Sequence, residues 1–456
     1  MREMKDWYLK NFRATKFKKI TVVICLLSLS LCACKPLDTV SDKLSEFAGK
    51  VKTYFTGQEE EPEIKEDLIS FENEIKVFDE VGELVDSETS VIDEAEREDN
   101  TTQLSSGNLA SVALNAFDGG SSTYAYNKLS PAEQTAYREI LAVLNDVLDN
   151  VILSGKDLDA IDMAFRAVMI DHPEIFYVNG YSIGKYMVDG ELDKVSFGGT
   201  YTMTPEEVEQ KRVLVDEYVE SVLLRAPVSD DYEKIKYVYD YVIENCTYDL
   251  DAENNQNVLS VVEGGRTVCQ GYAKMVQLLL EKMDVFCTLV NGSANSSDDP
   301  NDYEAHVWNI VRCNGEYYNL DATWGDSVFR LIDEAGGVSP RMDVNYEFFL
   351  VPDSYLANSH IQEPIVDMPV CNCIDDNYYV REGLYFEEVD EDQLAYAFDR
   401  EYSKGSDILF IKAMDEYVYE ELEEYLFTEH NVFTYTGTDN VRYVNVDSRN
   451  LIMISL

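Results

Sequence analysis

The chain has 456 residues, enough for two or three domains that each bury a core. Lys and Arg total 37 against 87 Asp and Glu, a formal net charge of -50, which argues against a nucleic-acid partner and against attraction of the folded body to anionic membrane. With 45% hydrophobic and 12% aromatic residues the bulk reads as globular, and the acidity as solubility and self-repulsion.

The amino terminus reads as an export signal. A basic stretch (Arg2, Lys5, Lys10, Arg13, Lys16, Lys18, Lys19) precedes the apolar run "ITVVICLLSLSL", which is too short to span a membrane as a mature helix. Leu31-Cys32-Ala33-Cys34 resembles a bacterial lipobox, which implies cleavage after the small Ala33, lipidation of Cys34 and anchoring to the outer face of the bacterial membrane. Residues 1–34 are therefore expected to be a lipoprotein signal and lipidation site. Residues 35–125, with "GQEEEPEIKED", "EAEREDNTTQLSSG" and "DGGSSTY", cannot bury much and are expected to form an acidic, largely disordered tether.

Order is expected from Ser130 onward. "SPAEQTAYREILAVLNDVLDNVIL" carries a Ser cap, Pro131 at the first helical position and Glu133 closing a capping box, and Thr204-Pro205-Glu206-Glu207 repeats the arrangement. Between them lie a helix over about 157–169 and a segment alternating like two or three strands, with a turn at Asp189-Gly190. These elements predict an N-terminal α+β module, 126–226, in which nothing points to chemistry. His172, before a proline at a helix end, reads as structural.

A helix with an aromatic stripe at Tyr237 and Tyr241 opens the next module, 227–366. Thr267 and Gln270 have capping-box spacing just before the apolar-periodic run Tyr272, Met275, Val276, Leu279, Leu280, Met283, so Cys269 is predicted in the first turn of a helix. Unpaired N–H groups and the positive end of the helix dipole favour negative charge there and can hold an oxyanion. Gly271 is expected to leave room beside the sulfur. A strand "FCTLVNG" and a polar loop "SANSSDDPNDYEA" follow; the loop lacks the order of ligands and glycine of a calcium-binding EF-hand and reads as solvated.

"HVWNIVRC" and "EYYNLDATW" flank Asn314-Gly315, a strong signal for a two-residue hairpin turn. The turn pairs Cys313 with Glu316, and counting back sets His306 opposite Thr323 and Trp308 opposite Asp321. His306 and Asp321 become diagonal neighbours on one face, with Cβ atoms roughly 7 Å apart, within hydrogen-bonding reach of an imidazole and a carboxylate. A thiol at the helix start, facing that pair, would have a base in His306 and an orienting acid in Asp321. His360 and His430 receive no role. Outside the leader six cysteines remain: Cys246, Cys269, Cys287, Cys313, Cys371 and Cys373. An oxidising compartment invites disulfides, yet the spacing has no scaffold regularity, and the pair at 371 and 373 lacks the second pair that zinc wants. No cofactor is expected.

Cys269 in "VCQGYA", His306 in "HVWN" and Asp321 in "YYNLDATW" resemble the transglutaminase-like superfamily over about residues 229–360. The resemblance implies a papain-like α+β fold, a cysteine helix packed on an antiparallel sheet, with Cys269 as nucleophile, His306 as base and Asp321 as orienting acid. Two departures concern loops: Asp284 stands where glycine usually turns the chain, and Ala322 where proline is common. Residues 367–456, reading as strand, helix, strand, helix, strand, form a small C-terminal α+β domain. The expected activity is hydrolysis of peptide or cell-wall amide bonds through a thioester, with a peptide or protein as partner. Transamidation to an amine, and a catalytically silent peptide- or glycan-binding protein, are the alternatives.

Overall fold

The computed structural model describes residues 123–456, apart from 189–190, 228, 296–300, 327–343 and 447–448. The export signal, Cys34, nearly all of the tether and the Asp189-Gly190 turn lie outside the described residues.

Helices α1 (Tyr124–Lys128), α2 (Pro131–Asn145) and α3 (Leu158–Asp171) pack with a three-stranded antiparallel sheet of β1 (Val151–Ile152), β2 (Val178–Val188) and β3 (Glu191–Tyr201), in the order β1-β3-β2. The capping box written at Ser130 forms: its side chain accepts from Glu133 N, and Glu133 receives Ser130 N–H. Thr204 and Glu207 do the same for α4 (Pro205–Leu223). Each such cap stabilises a helix start by about 1 kcal/mol.

Helix α5 (Asp231–Asn245) leads into β4 (Thr247–Tyr248), which pairs in parallel with β5 (Arg266–Thr267) across α6 (Val258–Gly264). The cysteine helix α7 (Cys269–Lys282) follows at once. It is buried from Cys269 to Leu280, and its Tyr272, Met275, Val276 and Leu279 join one core with residues of α2, α3, α5 and the central sheet. Burial of such side chains contributes roughly 1.5–3 kcal/mol each, so packing rather than helix propensity holds the helix in place.

The central sheet has five antiparallel strands in the order β10-β6-β7-β8-β9: β6 (Cys287–Ala294), β7 (Glu304–Cys313), β8 (Glu316–Leu320), β9 (Phe349–Val351) and β10 (His360–Gln362). Alternation along β7 puts Val307, Asn309 and Val311 on one face, where Asn309 donates to Ala273 O of the cysteine helix, and His306, Trp308 and Ile310 on the other. Trp308 and Ile310 belong to a second core with Val290, Trp324, Phe348 and Leu356. Between β8 and β9 lies the short helix α8 (Ala322–Gly325), and between β9 and β10 the short α9 (Asp353–Leu356).

The C-terminal part departs from its expected pattern. "NYYVREGLYFEE" is not one strand: it holds the helical turn α10 (Tyr378–Arg381) and a two-residue β11 (Tyr385–Phe386). Asn377 caps the turn, and burial of Tyr379 and Phe386 in the core overrides the aromatic β-propensity of the segment. Next come α11 (Glu391–Lys404), β12 (Ile408–Ala413), α12 (Glu416–Glu423), a π-helical turn over Glu424–Thr428, and α13 (Val432–Thr436). His430 stands in the left-handed connection before α13. The last expected strand is two strands, β13 (Arg442–Val446) and β14 (Leu451–Ser455), folded back in antiparallel register to complete a sheet ordered β11-β12-β14-β13.

Candidate functional site

Cys269 is the first residue of α7, as its spacing predicts, but the cap differs. Val268 occupies the N-cap position and supplies no side-chain bond. Thr267, drawn into β5, donates its hydroxyl to Asn255 O at 2.7 Å and accepts from Ser260 at 2.7 Å, so the Thr267–Gln270 capping box does not form. Without it, the N–H groups of Cys269, Gln270 and Gly271 precede the first backbone bond of the helix, Tyr272 N to Val268 O at 3.1 Å. The room at Gly271 is also used differently: a Cβ there would stand 1.8 Å from Thr267 Oγ1 and 3.1 Å from Asn255 O. The glycine lets the preceding loop close onto the helix start instead of clearing space for the sulfur.

The hairpin keeps its predicted register from Cys313↔Glu316 to Asn309↔Leu320, turning through Asn314 and Gly315, both at positive φ. It then stops. Asp321 leaves the strand to become the N-cap of α8, its Oδ1 accepting from Thr323 N at 2.9 Å and Trp324 N at 3.1 Å. The expected pairings His306–Thr323 and Trp308–Asp321 are therefore absent, because an aspartate offered free N–H groups caps a helix in preference to extending a ladder. Ala322 takes the first helical position, where proline is equally at home. Asp284 holds the left-handed turn after α7 at φ 58, doing what glycine would do there at some cost in strain.

His306 and Asp321 nevertheless meet. His306 Nε2 donates to Asp321 Oδ2 at 2.6 Å, with both side chains sealed from solvent. Burial lowers the proton affinity of the imidazole, but the charge and hydrogen bond of Asp321, with a contribution from hydrogen bonding to Cys269, outweigh it and raise the pKa to about 10. Asp321 shows the converse: burial raises its pKa, and the two imidazoles facing it win, holding it well below the usual carboxylate range. With Nε2 committed to Asp321, Nδ1 is the nitrogen left for the thiol.

His360, unassigned from its sequence context, is the second imidazole. Its Nε2 lies 3.1 Å from the same Asp321 Oδ2, and Ser359 Oγ lies 2.8 Å from its Nδ1. Trp324, Trp308 and Phe348 surround it at ring-centroid distances of 4.6, 5.2 and 5.7 Å. His306 stacks on Trp308 at 6.0 Å. The Trp308 indole donates to Asn319 Oδ1 at 3.1 Å, and its ring lies over Gly292, where a Cβ would come within 2.8 Å of it. His360 opens the edge strand β10, and only its pairing His360↔Ala294 brings it to Asp321. Tyr248 was also passed over. Its register partner Thr267 is two residues from Cys269, and burial first, then the Cys269 charge, raise its pKa.

His306, Asp321 and His360 offer ligand atoms all within 4.8 Å of one another, a donor set of the type that divalent transition metals accept. Their mutual spacing is that of two hydrogen bonds sharing one acceptor. All six described cysteines are free thiols. Among the described residues no helix is long and apolar enough to cross a membrane.

Residues 221–322 match the family model of the transglutaminase-like superfamily, a span that includes Cys269, His306 and Asp321. The chain thus carries, within a mixed α+β fold, a segment similar to the transglutaminase-like superfamily. No curated protein sequence matches it. Similar solved structures include a TGase, at 15% identity and TM-score 0.23 over 34% of this chain and 48% of that one. A candidate cysteine protease from Cytophaga hutchinsonii aligns at 11% identity and TM-score 0.22, over 40% and 66%. Menin, in a structure that reveals its binding site for the Mixed Lineage Leukemia protein, aligns at 17% identity and TM-score 0.21, over 43% of each chain. The chain spans less than two thirds of the length of each of these three structures.

Proposed function

We propose that the protein is a thiol hydrolase, lipid-anchored through Cys34 at the outer face of a bacterial membrane, that cleaves peptide or cell-wall amide bonds through a Cys269–His306–Asp321 triad. The observation that carries the reading is the buried His306–Asp321 hydrogen bond of 2.6 Å presented to a cysteine in the first turn of a helix. In the reaction, His306 takes the Cys269 proton and the sulfur attacks the amide carbonyl carbon. The N–H groups at the start of α7 receive the oxyanion. The imidazolium gives its proton to the departing amine, leaving a thioester. Water, deprotonated by His306, attacks the thioester carbonyl, and the thiol leaves with that proton, so one amide and one water become one acid and one amine. Asp321 stays ionised and fixes the ring with Nε2–H toward itself. Hydrolysis is preferred to transamidation because water is abundant at an exposed surface.

The test is to incubate the full-length protein and its Cys269→Ala variant with cell-wall and protein-derived peptides, with and without an added primary amine, and to weigh the products. Acid products formed by the wild type alone support the hydrolase. Amine adducts would move the assignment to transamidation. Unchanged peptides together with an unlabelled Cys269 under a thiol-directed electrophile would make the domain a binding module.

A further inference from the structure

Asp321 Oδ2 is shared, and the sharing fixes every proton along a line of side chains. His360 lies among three aromatic rings and is almost wholly buried, so its charged form is disfavoured. A neutral imidazole carries one N–H. Toward a carboxylate that only accepts, this N–H must be on Nε2. Nδ1 is then an acceptor, and Ser359 Oγ–H, at 2.8 Å, is the donor it needs. Ser359 is itself held by its carbonyl, which receives Asn295 N at 2.8 Å beside the β10–β6 ladder. The carboxylate thus receives two backbone N–H groups on Oδ1 and two imidazole N–H groups on Oδ2.

We propose that His360 is a positioning residue of the thiol site: by donating from Nε2 to the Asp321 oxygen that holds His306, it draws charge from that oxygen and keeps the His306 proton transferable. The inference rests on the thiol-enzyme reading above. A buried carboxylate facing one imidazole alone, sealed from bulk solvent as these side chains are, would hold the imidazolium too firmly for a base that must accept and release a proton at each half of the reaction. Oδ1, tied to the start of α8, already fixes the carboxylate's orientation, so what His360 adds is chiefly electrostatic. The burial of His360 outweighs the pull of Asp321 and lowers its pKa, in keeping with a neutral donor. The other titratable groups facing the pair are Cys269, through His306; Tyr239, whose hydroxyl donates to Asp321 O at 3.3 Å; and Tyr248 beside Cys269. Glu347 flanks Phe348, but its carboxylate is engaged with Tyr355 and Arg449.

The experiment uses the full-length protein as wild type, His360→Phe, His360→Gln and Ser359→Ala. It follows alkylation of Cys269 by iodoacetamide, read on the Cys269 peptide by mass spectrometry, from pH 4 to 10. His360→Phe keeps a ring and loses the donor, so Asp321 stabilises the imidazolium more strongly. The midpoint for thiolate formation should fall by about half a unit to one unit, roughly a 3- to 10-fold faster reaction on the acid limb. His360→Gln, whose amide N–H can reach the same oxygen, should restore the wild-type midpoint. A packing role predicts the reverse order, with Phe silent and Gln disruptive, and that result overturns the proposal, as does an unchanged midpoint in a folded His360→Phe protein. If the ring substitutions do not fold, Ser359→Ala decides: a smaller shift in the same direction supports the relay, and no shift refutes it. A wild-type Cys269 that alkylates no faster than Cys246, Cys287, Cys313, Cys371 and Cys373 and shows no acid-side midpoint would instead remove the thiol-enzyme reading, and the role of His360 with it.

Discussion

Replacing Asp321 with Asn tests the site at its centre. The amide oxygen can still accept from Thr323 N and Trp324 N, and Asn is as good an N-cap as Asp, so α8 should remain. On the other side an NH2 group now faces two imidazole N–H groups that stand 2.6 and 3.1 Å from the present oxygen. Two charge-assisted bonds, each worth about 1.5–3 kcal/mol, become donor-against-donor contacts between side chains sealed from bulk solvent. The rings can respond only by moving their protons to the opposite nitrogens, which turns Nδ1–H of His306 toward the thiol and removes its capacity as a base. The proton affinity of His306, raised by Asp321 to a pKa of about 10, falls as well, because burial then acts unopposed. The expected outcome is a loss of Cys269 reactivity and turnover of about 1000- to 10,000-fold, the scale on which a mis-set tautomer acts in a triad. Unfolding free energy should fall by ~3–5 kcal/mol. The assay is alkylation of Cys269 at pH 7 beside urea unfolding followed by circular dichroism. A folded Asp321→Asn protein with the wild-type rate and pH profile would show that the carboxylate does not orient His306.

Two further outcomes concern the frame around the site. Gly271→Ala should gain about 1 kcal/mol in helix propensity yet lose more through overpacking, since the new methyl would meet Thr267 Oγ1 at 1.8 Å and backbone Asn255 O at 3.1 Å. A net loss of about 1–2 kcal/mol in urea unfolding is expected, and a more stable variant would mean that the loop yields freely. Glu281, on the cysteine helix, has its pKa raised to about 9, first by burial and then by Glu174, so its folded-state value lies above the unfolded one. Such a carboxyl contributes most below the unfolded value of 4.5, and the contribution is lost as pH rises through about 9. Glu281→Gln, which keeps an acceptor for Gln277, should therefore overtake the wild type progressively from pH 5 to 9. Parallel stability curves for the two proteins would contradict the shift.

Short-range rules account for what could be read in advance. Ser130 with Glu133 and Thr204 with Glu207 capped their helices because a capping box is complete within four residues. Asn314-Gly315 fixed the hairpin register as far as Leu320 because a two-residue turn leaves the strands no choice of pairing. The periodic run after Cys269 placed the thiol at a helix start, since a 3.6-residue apolar stripe announces its own beginning. The same rules misread places where a distant group competes. Thr267 had the spacing of a cap, but Asn255 and Ser260 claimed its hydroxyl once β4 and β5 paired.

From sequence alone, then, came the cysteine at the positive end of a helix and the approach of His306 to Asp321, because each depends on neighbours along one segment or one tight turn. Tertiary structure decided that Asp321 would cap α8 rather than extend β8, and that His360, 39 residues beyond it, would share its carboxylate. That second contact depends on β10 docking against β6, a pairing between segments 66 residues apart at His360 and Ala294. No local periodicity encodes such a contact. It exists because burying Trp308, Trp324 and Phe348 together leaves His360 among them, with Asp321 Oδ2 as the acceptor for its N–H.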